Sequence, residues 1–241
     1  MDTVIAQRVG ELDADSSEVA EDAQHALIAM GPQVLDQLIA AVPGLNAFGQ
    51  LCAVEVFTAL QDPRPGDVLI GLLESENATV REWAAEALAE LGVQRAVPDL
   101  WRVYEAFRGR GEAPDSCEGE ALRWALTDLG ARRVVLPLRT AALRRPLENL
   151  DPAWPTADLA EVIDDLAAHN QAVLNFQIWQ ITPAGRVFAG RGPGIDWDVD
   201  RLRPWPEIVS ECREWSLLAA EATDESSDLV ATICWIDAAD L

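Results

Sequence analysis

Apolar positions in the first 145 residues recur at helical spacing, and the pattern itself repeats. Over residues 80–91 (VREWAAEALAEL), Val80, Ala84, Ala87, Leu88 and Leu91 fall at i, i+4, i+7, i+8 and i+11, one face of a helix. Gly92 follows, and then a second apolar run with Ala96, Val97 and Leu100. The same order holds at residues 25–30 (HALIAM), Gly31, and Val34, Leu35, Leu38 and Ile39. It holds again at residues 119–129 (GEALRWALTDL), Gly130, and Val134, Val135, Leu136 and Leu138. A degenerate copy spans residues 53–60, with Gln61 in the glycine position and Val68, Leu69 and Ile70 after it. The turn positions are 31, 61, 92 and 130, so the spacings are 30, 31 and 38. The last is lengthened by a polar insertion at residues 108–117 (RGRGEAPDSC).

Each copy predicts a helix, a tight turn and a second helix. Glycine suits the turn because it adopts the left-handed conformation without steric cost. A lone helix pair cannot bury its apolar face, so neighbouring pairs must stack. The predicted second helices cover residues 32–42, 66–73, 96–107 and 134–143. The motif Val80-Arg81-x-x-Ala84-Ala85-x-Ala87-Leu88-x-x-Leu91-Gly92-x-x-x-Ala96-Val97-Pro98-x-Leu100 resembles the HEAT-repeat family, in particular the short bacterial variety also seen in phycobilisome lyases. The resemblance covers residues 25–145 and implies an α-solenoid whose second helices line a concave surface that grips another protein. Solenoid architecture does not by itself specify a function.

The pattern changes after residue 145. Pro146, Pro152 and Pro155 mark residues 146–155 as a linker. Thr156 is placed to cap a helix whose apolar face is Leu159, Val162, Ile163, Leu166 and Ala167. Residues 172–181 (AVLNFQIWQI) read as a strand, 182–185 as a turn and 186–190 as a returning strand. A helix is expected over 204–222, with Ile208, Cys212, Trp215, Leu218 and Ala219 facing inward, and a last strand over 229–236. The expected fold is therefore mainly α: a HEAT-like solenoid of about four helix pairs at 1–145, a linker at 146–155, and a small α+β domain at 156–241.

Charge alters the functional picture. The chain of 241 residues has 41 acidic and 18 basic residues, for a net charge of −23, and every basic residue is arginine. The lack of lysine, with abundant alanine, fits a bacterial GC-rich genome. The acidity repels phosphate backbones and anionic lipid surfaces, so neither nucleic acid nor membrane is an expected partner. It attracts a basic protein. Residues 1–12 hold Asp2, Arg8 and Glu11 and no apolar stretch, so no secretory signal is read there and the expected compartment is the cytoplasm.

Candidate chemistry is sparse. Cys52, Cys117, Cys212 and Cys234 form no CxxC pair, and His25 and His169 lie far from them in sequence, so no metal site is expected. Cys52, Cys212 and Cys234 read as buried small hydrophobes. Asp196-x-Asp198-x-Asp200, with Glu207 in the twelfth position, has the opening spacing of a calcium loop, but Arg201 stands where the turn glycine belongs. Gly190-Arg191-Gly192-Pro193-Gly194 lacks the helix that a phosphate cradle requires immediately after it. No nucleophile, base and orienting group stand at interpretable spacing, so no catalytic residue and no cofactor is expected.

The expected function is non-catalytic protein binding, specifically an acidic inhibitor or immunity protein that masks a basic toxin or effector. A generic adaptor or scaffold and a lyase-type enzyme accessory are the alternatives. The expected contact residues are Asp36, Asp67, Asp99, Arg102 and Glu105 on the second helices and Glu112 and Asp115 on the insertion. Asp196, Trp197, Asp198, Asp200 and Trp205 are expected to join them from the C-terminal loop. Glu118 and Glu120 extend the acidic cluster of the insertion, which reads first as a solvated loop with acids at a helix N-terminus and otherwise as a charged finger reaching a partner.

Overall fold

The computed structural model describes residues 3–114, 116–132, 136–144, 153–183, 185–191, 203–223 and 228–240. The chain is mostly helical, with a small antiparallel sheet in its C-terminal part. Its contacts divide it into two compact units, one of residues 3–112 and 116–132, the other including the described residues from 136 onward.

The first unit contains α1 (Thr3–Glu11), α2 (Ser17–Met30), α3 (Leu35–Ala41), α4 (Ala47–Leu60), α5 (Gly66–Leu72), α6 (Ala78–Glu90), α7 (Val97–Arg110) and α8 (Cys117–Asp128). The even-numbered helices stack in order, α2 on α4, α4 on α6 and α6 on α8. The odd-numbered helices form the second layer, with α5 against α6 and α7 against α8. This is the expected solenoid, and one continuous core runs through it from Leu27 past Phe57, Leu88 and Tyr104 to Leu126. α1 packs on α2 and α3, and buries Ile5 and Val9, so the acidic N-terminal segment closes one end of the stack.

Local chemistry places the helix ends. Asn46 Oδ1 accepts the Gly49 N–H at 2.9 Å, and Asn77 Oδ1 accepts the Thr79 N–H at 2.9 Å. Ser116 Oγ accepts the Gly119 N–H at 3.3 Å. Each satisfies an amide that a helix start leaves without a partner. All four predicted turn positions have positive φ: Gly31 at 81°, Gln61 at 51°, Gly92 at 63° and Gly130 at 69°. Gln61 tolerates this because its side-chain amide donates to Thr58 O at 2.8 Å and Glu90 Oε1 at 2.6 Å.

The second unit holds α9 (Leu138–Leu143), β1 (Ala153–Pro155), α10 (Leu159–Ala168), β2 (Ala172–Thr182), β3 (Gly185–Arg191), α11 (Trp205–Glu221) and β4 (Leu229–Ile236). The four strands pair in the order β1-β4-β2-β3, all antiparallel. Apolar residues of α10, among them Leu159, Val162 and Leu166, cluster with Phe176, Ile178 and Ala231 of the sheet. Ile208, Val209 and Cys212 of α11 cluster with Ala172, Leu174 and Ile236.

Three expectations change here. The helix expected at 134–143 is α9, and it belongs with α10 in the second unit rather than with the stack. The Thr140 N–H and hydroxyl both donate to Asp165 Oδ2, at 2.9 and 2.6 Å, and this fastens α9 to α10. Residues 153–155 are an edge strand rather than linker, while 146–152 lie outside the described residues. Trp154 in that strand is fully buried, packs edge-on against Trp235 at 6.0 Å, and donates its indole N–H to Thr140 O at 2.8 Å. Pro155 fits there because an edge strand can leave one N–H position unused. Finally, α11 is rotated from its expected orientation: Ile208, Val209, Cys212 and Ser216 are buried, whereas Trp215 and Leu218 are each 54% exposed.

Gly92 tests the turn geometry. A Cβ there would touch nothing within 4 Å, so only the φ of 63° opposes it. Gly92→Ala is expected to cost about 1 kcal/mol, read from the urea midpoint of the first unit.

Candidate protein-binding surface

The second-layer acids predicted as contacts are engaged within the stack. Asp36 and Asp67 occupy equivalent positions in α3 and α5, and each meets an arginine 28 residues later. Arg64 Nη1 lies 3.2 Å from Asp36 Oδ1, and Arg95 Nε lies 2.7 Å from Asp67 Oδ1. Gly66 has no Cβ to obstruct Arg95, whose Nη2 lies 2.5 Å from where that carbon would be. Arg102 of α7 pairs with Asp99 at 2.9 Å and with Glu74. Glu112 pairs with Arg110 at 2.6 Å. These pairs are exposed, so each contributes roughly 0–1 kcal/mol to stability. Their larger effect is to cancel charge along this layer. Of the predicted contacts on the second helices, Glu105 is an exposed residue of α7.

Glu118 departs furthest from its expected role. It is 3% exposed, and its carboxylate receives Arg81 Nε at 2.7 Å, Arg81 Nη2 at 2.6 Å and Arg110 Nη2 at 2.7 Å. Arg81 also donates to Ser75 O at 2.7 Å. The residue is a buried clamp joining α6, α7 and α8, not part of a finger. Burial pushes its carboxyl pKa up, but the two guanidinium groups outweigh that and hold it below the usual glutamate value.

The layer of α2, α4, α6 and α8 is organised differently. Its helices carry ten carboxylates and two arginines, against four and three on α3, α5 and α7. Of the two arginines, Arg81 is held by Glu118 and Arg123 is buried. Two of the rungs along this layer are amides, Gln24 donating to Glu55 and Gln61 to Glu90, while α6 and α8 are joined by Arg81 and Glu118. An amide satisfies a carboxylate lone pair without cancelling its charge. Gln24, His25, Ile28, Glu55, Thr58, Gln61 and Glu90 line a groove of about 570 Å³ across α2, α4 and α6. Up α6 from Glu90, Glu86 and Glu82 follow at one-turn intervals. Burial, then the neighbouring Glu118 and Glu120, raises the Glu82 carboxyl pKa. One turn beyond Glu120 on α8, Trp124 is 40% exposed.

Three of the described cysteines have thiol pKa values raised above the ordinary value. Burial, reinforced by Glu55 and Glu21, pushes the Cys52 thiol up to about 11. Burial, then Glu211, pushes Cys212 up to about 12. Cys117 is exposed, yet partial burial and the charges of Glu82 and Glu120 raise it too. Thiols of this kind are poor nucleophiles at neutral pH. Cys52 and Cys212 are buried as expected, while Cys234 is only half-buried. His169 ends α10, with Nδ1 2.7 Å from Asp165 O. Among the described residues no group of three or more His, Cys, Asp or Glu is arranged to hold a metal ion. No single described helix is long and apolar enough to cross a membrane.

Asp115, Asp196, Trp197, Asp198 and Asp200 lie outside the described residues. Trp205 opens α11 and donates its indole N–H to Asn170 O at 2.9 Å, which ties it to the end of α10. Glu207, the twelfth position of the calcium-loop reading, lies in the first turn of α11, 3.8 Å from Arg203. A groove of about 470 Å³ between α10 and α11 is bordered by Asp164 and Arg213, which pair with each other at 2.7 Å.

Two carboxylates should respond oppositely to neutralisation. Glu118→Gln leaves Arg81 half-buried without its counter-charge and is expected to cost about 3 kcal/mol at pH 7. Because the folded-state pKa of Glu118 is lowered, the wild-type advantage is present above the unfolded value and is lost as pH falls through the folded one. Denaturation of both proteins from pH 7 down to pH 3 reads this convergence. For Glu82 the folded pKa is raised, so its charge opposes folding at neutral pH. Glu82→Gln is expected to raise the melting temperature by about 1–2 °C at pH 7, with no gain once pH falls below the unfolded carboxyl pKa.

Compared with known proteins, residues 46–108 match the family described as HEAT repeats. The match covers α4 to α7 apart from its last residues, the middle of the stack. No curated protein matches the chain.

Proposed function

We propose that the HEAT repeats of residues 46–108, with the helices stacked on either side, form an acidic binding module that occludes a basic protein, in the manner of an inhibitor or immunity protein. HEAT repeats are a protein-interaction architecture, and that much follows from the match. The observation that carries the finer reading is the internal use of arginine. In the first unit Arg8, Arg64, Arg81, Arg95, Arg102 and Arg110 all pair with carboxylates of the same unit. The carboxylates in excess of these pairs set the sign of the field around the chain, whose net charge is −23. Such a field accelerates encounter with a cationic protein and disfavours anionic ones. A stacked scaffold then supplies a broad face for occlusion.

The test is capture from source-organism lysate on the immobilised full chain, at low and at high salt, with mass spectrometry of the eluate. The expected result is one basic protein released by salt, because exposed charge pairs are screened within about 10 Å at 0.1 M. Its own activity should fall when the chain is added back. Neutral partners that resist salt would overturn electrostatic inhibition in favour of a general scaffold.

A further inference from the structure

We infer that the solvent face of α11 is a docking surface, and that its occupant is an α-helix of a partner protein with an apolar seam and basic flanks. The inference goes beyond the reading just given: it concerns the second unit, and it holds or fails independently of what the helical stack binds. α11 buries Ile208, Val209, Cys212 and Ser216. Its solvent side carries two lines of residues. One is apolar: Trp215 and Leu218, each 54% exposed, and exposed Ala222 at the cap stand at i, i+3 and i+7. The other is acidic: Glu207, Glu214 and Glu221 are all exposed and lie seven residues apart. Seven residues are close to two turns, about 10.5 Å along the axis, so the glutamates form a row beside the apolar line.

An i, i+3, i+7 apolar seam with charge at the adjoining position is how one helix receives another: the seam supplies contact and the flanking charges choose the partner. The helix buries Cys212 and Ser216 while leaving Trp215 and Leu218 in water, the reverse of what burial within this chain alone favours. Charge then identifies the occupant. Residues 151–241 carry 17 acids and five arginines. Arg203 and Arg213, the arginines just before and on α11, pair with Glu211 and Asp164 of the same unit. Lysine or arginine on the flank of an incoming helix complements the glutamate row, whereas an acidic helix is repelled by it. A second copy is a poor occupant for the same reason. Antiparallel pairing of two α11 helices would bring the glutamate rows together, and parallel pairing would set them opposite Cys212 and Ala219, which carry no cation.

The experiment uses the full chain and a three-heptad peptide with leucine at the seam and lysine on both flanks, kept at a concentration where it is monomeric. A scrambled peptide of the same composition separates helix docking from attraction to a chain of net charge −23. Calorimetry is expected to show the patterned peptide binding about tenfold tighter than the scramble. The charge-neutral double variant Trp215→Gln with Leu218→Gln is expected to remove that about tenfold preference. Glu214→Gln with Glu221→Gln is expected to weaken the patterned peptide about threefold, and Glu18→Gln with Glu105→Gln, which takes the same charge from the first unit, less than about 1.5-fold. Equal binding of the two peptides, or equal losses in the two charge variants, would mean diffuse attraction and would overturn the docking face. A melting temperature more than about 5 °C lower in the Trp215 and Leu218 variant would show that the chain itself covers the ridge, and would overturn it too. Sedimentation of the wild type as a dimer, lost in that variant, would give the ridge to a second copy and not to a basic helix.

Discussion

Everything in the first unit depends on the inability of a short helix pair to bury its own apolar stripe. Stacking α2, α4, α6 and α8 resolves this, because each helix buries residues against the next and the core becomes continuous. Once the helices are stacked, equivalent positions of successive repeats fall side by side. Residues about 30 apart in sequence become neighbours, and the side chains at the edges of each layer determine what the rungs are made of. One layer is bridged by arginine and carboxylate, the other by two amide–carboxylate rungs and the Arg81–Glu118 clamp.

The buried Glu118 clamp is a separate device. It lies just past the insertion that lengthens the last spacing, and its guanidinium partners come from α6 and α7. An insertion between α7 and α8 would otherwise leave α8 loosely registered on the stack. A carboxylate held by two arginines at the start of α8, where the helix terminus also favours negative charge, fixes that register. A buried pair of this kind is a weak source of net stability but a strong constraint on arrangement.

The repeat could be read from the sequence because helical periodicity and the turn residues agreed. Positive φ at Gly31, Gln61, Gly92 and Gly130 falls where the pattern places the turns. What could not be read was pairing across the stack. A count of acids treats Asp36, Glu82 and Glu118 alike, whereas one is paired at the surface, one is crowded by like charge and one is clamped inside. Asp36 meets an arginine 28 residues away and Glu118 one 37 residues away, beyond any local pattern. Strand β1 escaped detection because three residues beside prolines are too few to show alternation. The rotation of α11 escaped because Trp215 and Leu218 satisfy the apolar spacing equally well on the side facing water. A signal for Glu118 did exist: an acid two residues past a capping serine, opposite an arginine in the preceding copy of the repeat.

The burial of Trp154 has an optical consequence. Its indole is shielded from water, fixed by a hydrogen bond to a backbone carbonyl and set edge-on to a second indole. Two chromophores locked in a chiral, asymmetric pair give the near-ultraviolet dichroism a signature that vanishes when that pair loosens. Trp154 lies in one strand and its partner in the strand paired with it, while the accepting carbonyl belongs to α9. The second unit therefore carries its own spectroscopic marker of integrity, one that needs no label.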